Sequence, residues 1–232
     1  MLLVLDIGNT RLKWAEFHNG QIGARGAIFL AEVEHFVERA GFAARVPERV
    51  VGSHVANLVS KERVERQFAA LGRTVQWVVS SATACGVRNG YDDPTRLGTD
   101  RWAALIGARS LQARGCLVVL AGTATTIDSL DDQGRFRGGL ILPGLALMRS
   151  ALARNTADLP QARGHYRALA TNTDDAIVSG ALHATLGAIE RVRASLGPDV
   201  PCLLSGGAAA ELVKHLARPF RVIDNLVLEG IV

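Results

Sequence analysis

One pattern occurs twice in this chain: an apolar run that predicts a buried strand, a turn that contains glycine, and a second strand. The first copy covers residues 2–17 and carries the sequence Asp-Ile-Gly-Asn-Thr at residues 6–10. The second copy covers residues 116–128 and carries Leu-Ala-Gly-Thr-Ala at residues 120–124. An ungapped alignment of the copies places Gly8 on Gly122. An internal duplication of this kind predicts a fold built from two similar units.

Strands and helices alternate around both copies. Short buried runs indicate further strands at residues 49–53, 75–79 and 202–205. Apolar residues at helical spacing indicate helices at residues 31–43, 60–71, 101–113, 145–153 and 174–196. Alternation of this kind predicts an α/β fold of two similar lobes with a cleft between them. We place the boundary near residue 115, so that residues 1–115 form an N-terminal lobe and residues 116–232 a C-terminal lobe.

Composition limits the function classes. The 232 residues are 48% hydrophobic, which is enough to bury a full core. Lys and Arg exceed Asp and Glu by only four and are scattered, which suits anionic small molecules and argues against a nucleic acid partner. The three cysteines form no CxxC pair, so neither a disulfide framework nor a thiolate zinc site is indicated. With no apolar run of roughly 20 residues and an early polar N-terminus, we expect a cytoplasmic protein without a membrane partner.

The first glycine turn has the composition of a phosphate site. Asp6 ends the first strand, and Gly8 lets a phosphate approach the main-chain N–H groups closely. A single carboxylate beside phosphate oxygens is a ligand set that Mg²⁺ prefers, so Asp6 is a candidate magnesium ligand. The alternative is a tight hairpin in which Asp6 and Asn9 satisfy local backbone groups.

Two later glycine turns are weaker candidates for the same nucleotide. Thr123 and its neighbours supply N–H groups and hydroxyls for the other side of a triphosphate, although they also fit an ordinary threonine-rich strand start. Leu120 stands where the first copy has Asp6, and its apolar side chain cannot bind a cation. Gly206 and Gly207 follow a buried strand, where the absence of side chains would let an adenosine lie against the backbone.

A segment at residues 91–101 combines a carboxylate and a guanidinium at the start of a helix. Asp100 has two interpretations, a helix N-cap or the carboxylate that orients an alcohol and accepts its proton during phosphoryl transfer. Arg101 beside it would engage a carboxylate of the substrate. These features together indicate an ATP-dependent phosphotransferase.

In this order, the segments resemble the type III pantothenate kinase family, also called the Bvg accessory factor family, of the actin-like ATPase superfamily. The resemblance covers nearly the whole chain. It rests on the motifs at residues 6–10, 91–101, 122–128 and 138–144. Residues 172–173, 205–207 and 226–230 also resemble segments of the family. Each motif alone is common, whereas the ordered set is specific. The resemblance implies two actin-like, ribonuclease H-like lobes.

The resemblance also implies an activity and roles for residues. It implies ATP-dependent phosphorylation of pantothenate, the first step toward coenzyme A, in a homodimer whose substrate pocket borrows residues from the partner subunit. Asp100 would be the catalytic base. The residues implied to bind ATP are Asp6, Ile7, Gly8, Asn9, Thr10, Arg11, Leu12, Lys13 and Thr123, with Gly206 and Gly207 at the adenosine. Those implied to surround pantothenate are Tyr91, Gly98, Thr99, Asp100, Arg101 and Thr173.

Leu120 departs from the family pattern. Members usually have an acidic residue there, associated with a monovalent cation such as K⁺ or NH₄⁺, which this chain cannot bind in that way. The departure leaves open a catalytically impaired accessory protein in transcriptional regulation, although retention of Asp6, Asp100 and Arg101 argues against it. A sugar or acetate kinase of the same superfamily would share the phosphate turns but leave residues 91–101 unexplained.

Overall fold

The computed structural model describes residues 1–197 and 199–232, which group into two compact units. The first unit contains Met1–Ala113, Gly134–Phe136 and Asn225–Val232, and the second contains Arg114–Gln133 and Arg137–Asp224. The division into lobes at residues 1–115 and 116–232 stays a prediction. Two short segments from the later part of the chain nevertheless pack with the earlier part.

The first unit is built on a five-stranded sheet in the order β3-β2-β1-β4-β5. Its strands are β1 (Leu2–Ile7), β2 (Arg11–His18), β3 (Gln21–Phe29), β4 (Arg49–His54) and β5 (Val75–Trp77). The β1, β2 and β3 strands form an antiparallel meander, while β4 and β5 continue the sheet in parallel with β1. Because parallel neighbours end at the same edge, the carboxyl end of β1 lies beside the end of β4.

Helices and a hairpin accompany this sheet. They are α1 (Phe36–Arg39), α2 (Leu58–Ala69), α3 (Thr99–Leu111), the hairpin of β6 (Thr83–Ala84) and β7 (Val87–Arg88), and 3₁₀ helices at Leu30–His35 and Pro94–Arg96. Asn57 caps α2 by accepting a hydrogen bond from the Ser60 N–H. The helix expected over residues 31–43 is wrong in type and length. A 3₁₀ helix leads into a single α-helical turn there, which ends at Gly41 with a positive φ.

The second unit repeats the same sheet order with β10-β9-β8-β11-β12. The strands of this sheet are β8 (Cys116–Ala121), β9 (Ala124–Leu130), β10 (Phe136–Pro143), β11 (Cys202–Ser205) and β12 (Phe220–Val222). The helices that follow β10 and β11 are α4 (Leu145–Asn155), α5 (Thr173–Leu196) and α6 (Ala209–Leu212). As in the first unit, the first two strands pair antiparallel and the last two continue in parallel. The predicted α/β fold of two similar units is confirmed.

A last helix, α7 (Leu226–Glu229), returns to the first unit and packs on α3. Glycines on both sides make this packing close. A Cβ on Gly107 would lie 2.6 Å from the Leu226 carbonyl oxygen, and one on Gly230 would collide with the Ala103 carbonyl. Within residues 1–197 and 199–232, no helix combines the length and apolar character needed to cross a bilayer.

Candidate active site

The first glycine turn lies where β1 ends, between strands that present charged and polar side chains. Asp6 pairs across the sheet with Lys13 on β2 and with Ser53 on β4. The Gly8 N–H donates to the Arg11 carbonyl at 3.0 Å, which closes the turn. A Cβ on Gly8 would only reach ordinary contact, 3.5 Å from the Arg11 oxygen. The protein's own packing therefore does not require glycine here, and the space remains for a ligand.

The second glycine turn is one residue shorter than the first. Ile7 pairs with Leu12 across the first turn, whereas Ala121 pairs with Thr125 across the second. Leu120 accordingly faces Thr126 and Ser205, at the positions where Asp6 faces Lys13 and Ser53. The second turn thus lacks both the carboxylate and the lysine.

The glycines after β11 differ from each other. Gly206 has φ of 106°, and a Cβ there would collide with the Ala121 backbone, so the fold itself requires this glycine. Gly207 is exposed, and an added Cβ would meet nothing within 4 Å. Of these two glycines, Gly207 is therefore the one with open space beside it.

Asp6, which is buried, and Asp100, which is partly buried, are carboxyl groups of the first unit. Burial raises the pKa of Asp6 to about 6, the nearby Lys13 ammonium lowers it, and the Asp100 charge raises it. Burial is also the main reason that the pKa of Asp100 is raised, against the opposing effect of the Arg101 N–H and guanidinium. The Asp100 charge thus affects the pKa of Asp6 although the two residues lie far apart in the sequence.

The start of α3 positions Asp100 and rules out its role as an N-cap. The capping position belongs to Gly98, and Asp100 lies within the first turn, where its Oδ1 accepts a hydrogen bond from the Arg101 N–H at 2.7 Å. Gly98 leaves room for this side chain, because a Cβ there would lie 2.7 Å from that same oxygen. The carboxylate also benefits from the positive end of the helix dipole.

Thr99 fastens this helix start to β4. Its Oγ1 lies 3.0 Å from the Ser53 Oγ, accepts a hydrogen bond from the His54 N–H at 3.2 Å, and donates to the His54 carbonyl at 3.1 Å. Ser53 in turn is the sheet neighbour of Asp6. These bonds hold the start of α3 against β4, the strand that pairs with β1 at Asp6.

Arg101 lies beside Asp100 in an aromatic setting that the sequence motifs only partly revealed. The side chain is 4% exposed, and its Nη1 donates to the Tyr91 hydroxyl at 2.7 Å. Phe136 completes the group by stacking on Tyr91. Sequence reasoning missed Phe136 because no local pattern links it to residues 91–101.

Thr173 lies in the second unit, at the first turn of α5. Asn172 caps this helix by accepting a hydrogen bond from the Asp175 N–H at 2.9 Å. Thr173 borders an apolar groove of about 1140 Å³, whose walls include Leu147, Met148 and Leu152. Among the predicted site residues, those of β1 and α3 are gathered in the first unit. Thr123, Thr173, Gly206 and Gly207 are residues of the second unit.

A comparison with protein families gives one clear match. The model of the family described as "Type III pantothenate kinase" matches residues 2–195. The chain belongs to the type III pantothenate kinase family. The resemblance recognised from the ordered motifs is confirmed.

Individual members of the type III pantothenate kinase family are similar to this chain over nearly their full length. The protein named type III pantothenate kinase from Aromatoleum aromaticum strain EbN1 is 49% identical over 100% of this chain and 96% of its own. The one from Dechloromonas aromatica strain RCB is 46% identical over 100% and 97%. A solved structure assigned to the Baf family of transcriptional activators, from Campylobacter jejuni, has a TM-score of 0.67 at 18% identity and covers 98% of this chain and 94% of its own. That likeness concerns the fold alone.

The residues at the first turn fit a magnesium ion in the way expected for this kinase family. No group of three or more His, Cys, Asp or Glu side chains able to hold a metal occurs in the part of the chain that the structure describes. Asp6 therefore offers a single carboxylate, and the remaining ligands would be phosphate oxygens and water, as is usual for Mg²⁺.

The residues at the second turn do not fit a monovalent cation held by a carboxylate. Leu120 is partly buried and apolar, and its cross-strand neighbour Thr126 offers one buried hydroxyl with no hydrogen-bond partner within the described ranges. One hydroxyl does not replace a negative charge. The structure provides no compensating carboxylate at the cross-strand position.

Proposed function

We propose that this protein transfers the γ-phosphate of ATP to the primary hydroxyl of pantothenate, the first step of coenzyme A biosynthesis. Family membership supports the reaction, and one structural observation carries it for this chain. The Asp100 carboxylate and the Arg101 guanidinium adjoin each other at the start of α3, which Thr99 fastens to the strand beside Asp6. A base and an anion-binding group next to a phosphate turn are the parts that phosphorylation of an anionic alcohol needs.

Asp100 acts as the general base in this proposal. The hydroxyl oxygen of pantothenate bonds to the γ-phosphorus, the bond from that phosphorus to the bridging oxygen of ADP breaks, and the hydroxyl proton passes to the Asp100 carboxylate. Because burial raises its pKa, the Asp100 carboxylate is a better proton acceptor than an exposed aspartate.

Arg101 and Tyr91 bind the carboxylate of pantothenate. A guanidinium donates two parallel hydrogen bonds to a carboxylate, and its planar group fits that shape better than an ammonium. The hydrogen bond from Arg101 to the Tyr91 hydroxyl fixes the donor plane before substrate arrives. Gly98, Thr99 and Thr173 complete the set that the family resemblance assigns to pantothenate.

The turn from Asp6 to Lys13 holds the ATP phosphates. Backbone N–H groups at residues 9 and 10 and the Lys13 ammonium supply positive potential, and Asp6 holds Mg²⁺. When bound, the metal neutralises charge on the phosphate oxygens. Thr123, Gly206 and Gly207 remain assigned to ATP by the resemblance, with Gly207 as the open position.

We further propose a cytoplasmic homodimer in which the groove beside Thr173 receives the partner. The groove is apolar, and Leu147 and Leu152 on α4 are exposed there in the single chain. Covering it with a second copy would remove this apolar surface from water and bring Thr173 to a partner's substrate site.

The reaction proceeds without a monovalent cation at Leu120.

A pantothenate-dependent ADP-release assay on the purified protein tests the reaction. We expect Mg-ATP to be consumed when pantothenate is added and ADP release to stay at background without it. Consumption with acetate or a hexose but not with pantothenate would instead support another kinase of the superfamily. Absence of turnover with all acceptors would overturn the proposed function.

A further inference from the structure

Phe136 is a fully buried aromatic residue that packs in the first unit, although the residues on either side of Gly134–Phe136 in the sequence belong to the second unit. It begins β10, yet Gly134–Phe136 packs with the first unit. Its ring stacks on that of Tyr91, with centroids 5.7 Å apart and planes 25° from parallel. Such stacked pairs stabilise each other beyond the apolar area that they bury.

Arg101 is the third member of this group. The centre of its guanidinium lies 5.5 Å from the Tyr91 ring centroid and 5.7 Å from that of Phe136. Both distances are within the range of cation–π attraction, which is stronger away from water. Two ring faces and the Tyr91 hydroxyl therefore restrict the rotation of the Arg101 head group.

The backbone keeps Phe136 in this place. The Arg88 N–H donates to the Gly134 carbonyl at 2.9 Å, and Gly86 contacts Gly134 so closely that Gly134 has no room for a side chain. Gly90 likewise contacts the Phe136 carbonyl with no room for a Cβ. Because main chain packs on main chain, the Phe136 ring is a fixed platform under the loop that carries Tyr91.

We propose that Phe136 is a positioning residue that holds the Tyr91 ring and the Arg101 guanidinium in the orientation that receives the substrate carboxylate. The inference rests on the proposed function, in which that pair binds pantothenate. Leucine in place of Phe136 would keep most of the apolar volume but would offer no ring face to stack on Tyr91 or attract Arg101. A leucine substitution therefore distinguishes a positioning role of the Phe136 ring from a role in filling core volume.

Kinetics of Phe136→Leu and Phe68→Leu test this role. Phe68 is a matched control, since it is fully buried in the same unit and meets Phe36 edge-on, away from the loop. We expect Phe136→Leu to raise the KM for pantothenate about tenfold, equivalent to about 1.4 kcal/mol, with the KM for ATP unchanged. Phe68→Leu should lower the melting temperature and leave both KM values unchanged. Phe136→Tyr, which restores a ring, should recover most of the affinity for pantothenate.

A second readout does not depend on turnover. The chain has two tyrosines, so ring-¹³C labelling gives NMR signals from Tyr91 and Tyr166 alone. We expect the Tyr91 signals to shift and broaden in Phe136→Leu, with Tyr166 as an unchanged internal control. An unchanged Tyr91 spectrum, or a pantothenate KM that responds equally to Phe68→Leu, would overturn the inference. If the wild type fails to use pantothenate, the proposed function is wrong, and the Tyr91 spectrum still decides the positioning role.

Discussion

At the scale of single residues, the proposed chemistry depends on two carboxyl groups that the fold partly or fully removes from water. Asp6 and Asp100 each lose hydration, and each gains only partial compensation from a neighbouring cation. A carboxyl group in such a setting costs folding free energy when it is ionised. Its retention is consistent with a functional use, because raised pKa values are common at catalytic sites.

Replacing Asp100 with asparagine tests the base directly. We expect Asp100→Asn to lower kcat by a factor on the order of 100 or more, because the amide cannot accept the proton. The isosteric change should keep the protein folded, as judged by circular dichroism. Glu62→Gln, the same chemical change at an exposed position on α2, is the control and should keep wild-type activity. Full activity of Asp100→Asn would remove Asp100 from its proposed role.

Asp6 predicts a pH dependence of stability whose sign follows from its raised pKa. The folded state keeps the proton up to a pH of about 6, whereas the unfolded chain releases it near the ordinary aspartate pKa of 3.8. Stability contributed by Asp6 is therefore lost as pH rises from about 4 through 6. Without nucleotide, Asp6→Asn should be more stable than wild type at pH 8, by up to roughly 3 kcal/mol.

Urea unfolding of both proteins at pH 8 and pH 4 measures this difference. Near pH 4 the gain should be close to zero, since the wild-type carboxyl group is then protonated in the folded state. An equal gain at both pH values would show that ionisation of Asp6 is not its cause.

At the scale of elements, glycines decide which helices can meet. The contact of α3 with α7 requires Gly107, whose missing side chain leaves room for the Leu226 carbonyl. This contact anchors the C-terminal segment beneath the helix that carries Asp100 and Arg101. A helix-interior glycine costs helix propensity, so its presence in α3 reflects packing rather than helix formation.

Gly107→Ala and Gly187→Ala form a matched pair for this packing. Both glycines lie inside long helices, but a Cβ on Gly187 would meet nothing within 4 Å. We expect Gly107→Ala to lower the free energy of unfolding by about 1–3 kcal/mol through overpacking. Gly187→Ala should raise it by up to about 1 kcal/mol through helix propensity. Urea denaturation measures both changes, and a stabilising Gly107→Ala would contradict the close contact of α3 and α7.

At the scale of the whole molecule, the two units have the same sheet order but different turns. The first turn has Asp6 opposite Lys13, whereas the second has Leu120 opposite Thr126. Duplication preserved the strands, which are held by hydrogen-bond pairing and burial. The exposed turns differ in length, and the difference in charge lies at the strand ends beside them.

The turn at Leu120 predicts the response to monovalent cations. We expect the rate to change little when K⁺ is replaced by tetramethylammonium at constant ionic strength, because no carboxylate pairs with a cation there. Leu120→Asp should introduce a dependence on K⁺ in the same ADP-release assay. A strict K⁺ requirement of the wild type would show that other groups rebuild the cation site.

The groove beside Thr173 predicts that assembly and activity are coupled. We expect Leu152→Asp to shift the protein from dimer to monomer in light scattering, because a buried unpaired carboxylate opposes association. The KM for pantothenate should rise in parallel, since Thr173 would no longer reach a partner's site. Leu58→Asp changes a leucine that is also exposed, on α2 of the first unit, and should leave both properties unchanged. A dimeric, fully active Leu152→Asp would place the interface elsewhere.

The sequence by itself determined the duplicated units, the family and most strands and helices. These follow from local patterns: period-two and period-3.6 burial, glycine turns and the ordered motifs around Asp6, Asp100 and Thr123. The short segment at residues 31–43 was mispredicted because apolar spacing does not distinguish a 3₁₀ helix from an α-helix over so few residues.

Only the tertiary structure decided the rest. It held the start of α3 against β4 beside Asp6, placed Phe136 under Tyr91, and returned α7 to α3. It also showed that the fold requires Gly206, whereas Gly207 has open space beside it. Each of these depends on contacts between residues distant in sequence, and burial, pKa shifts and close backbone approach arise from those contacts rather than from local pattern.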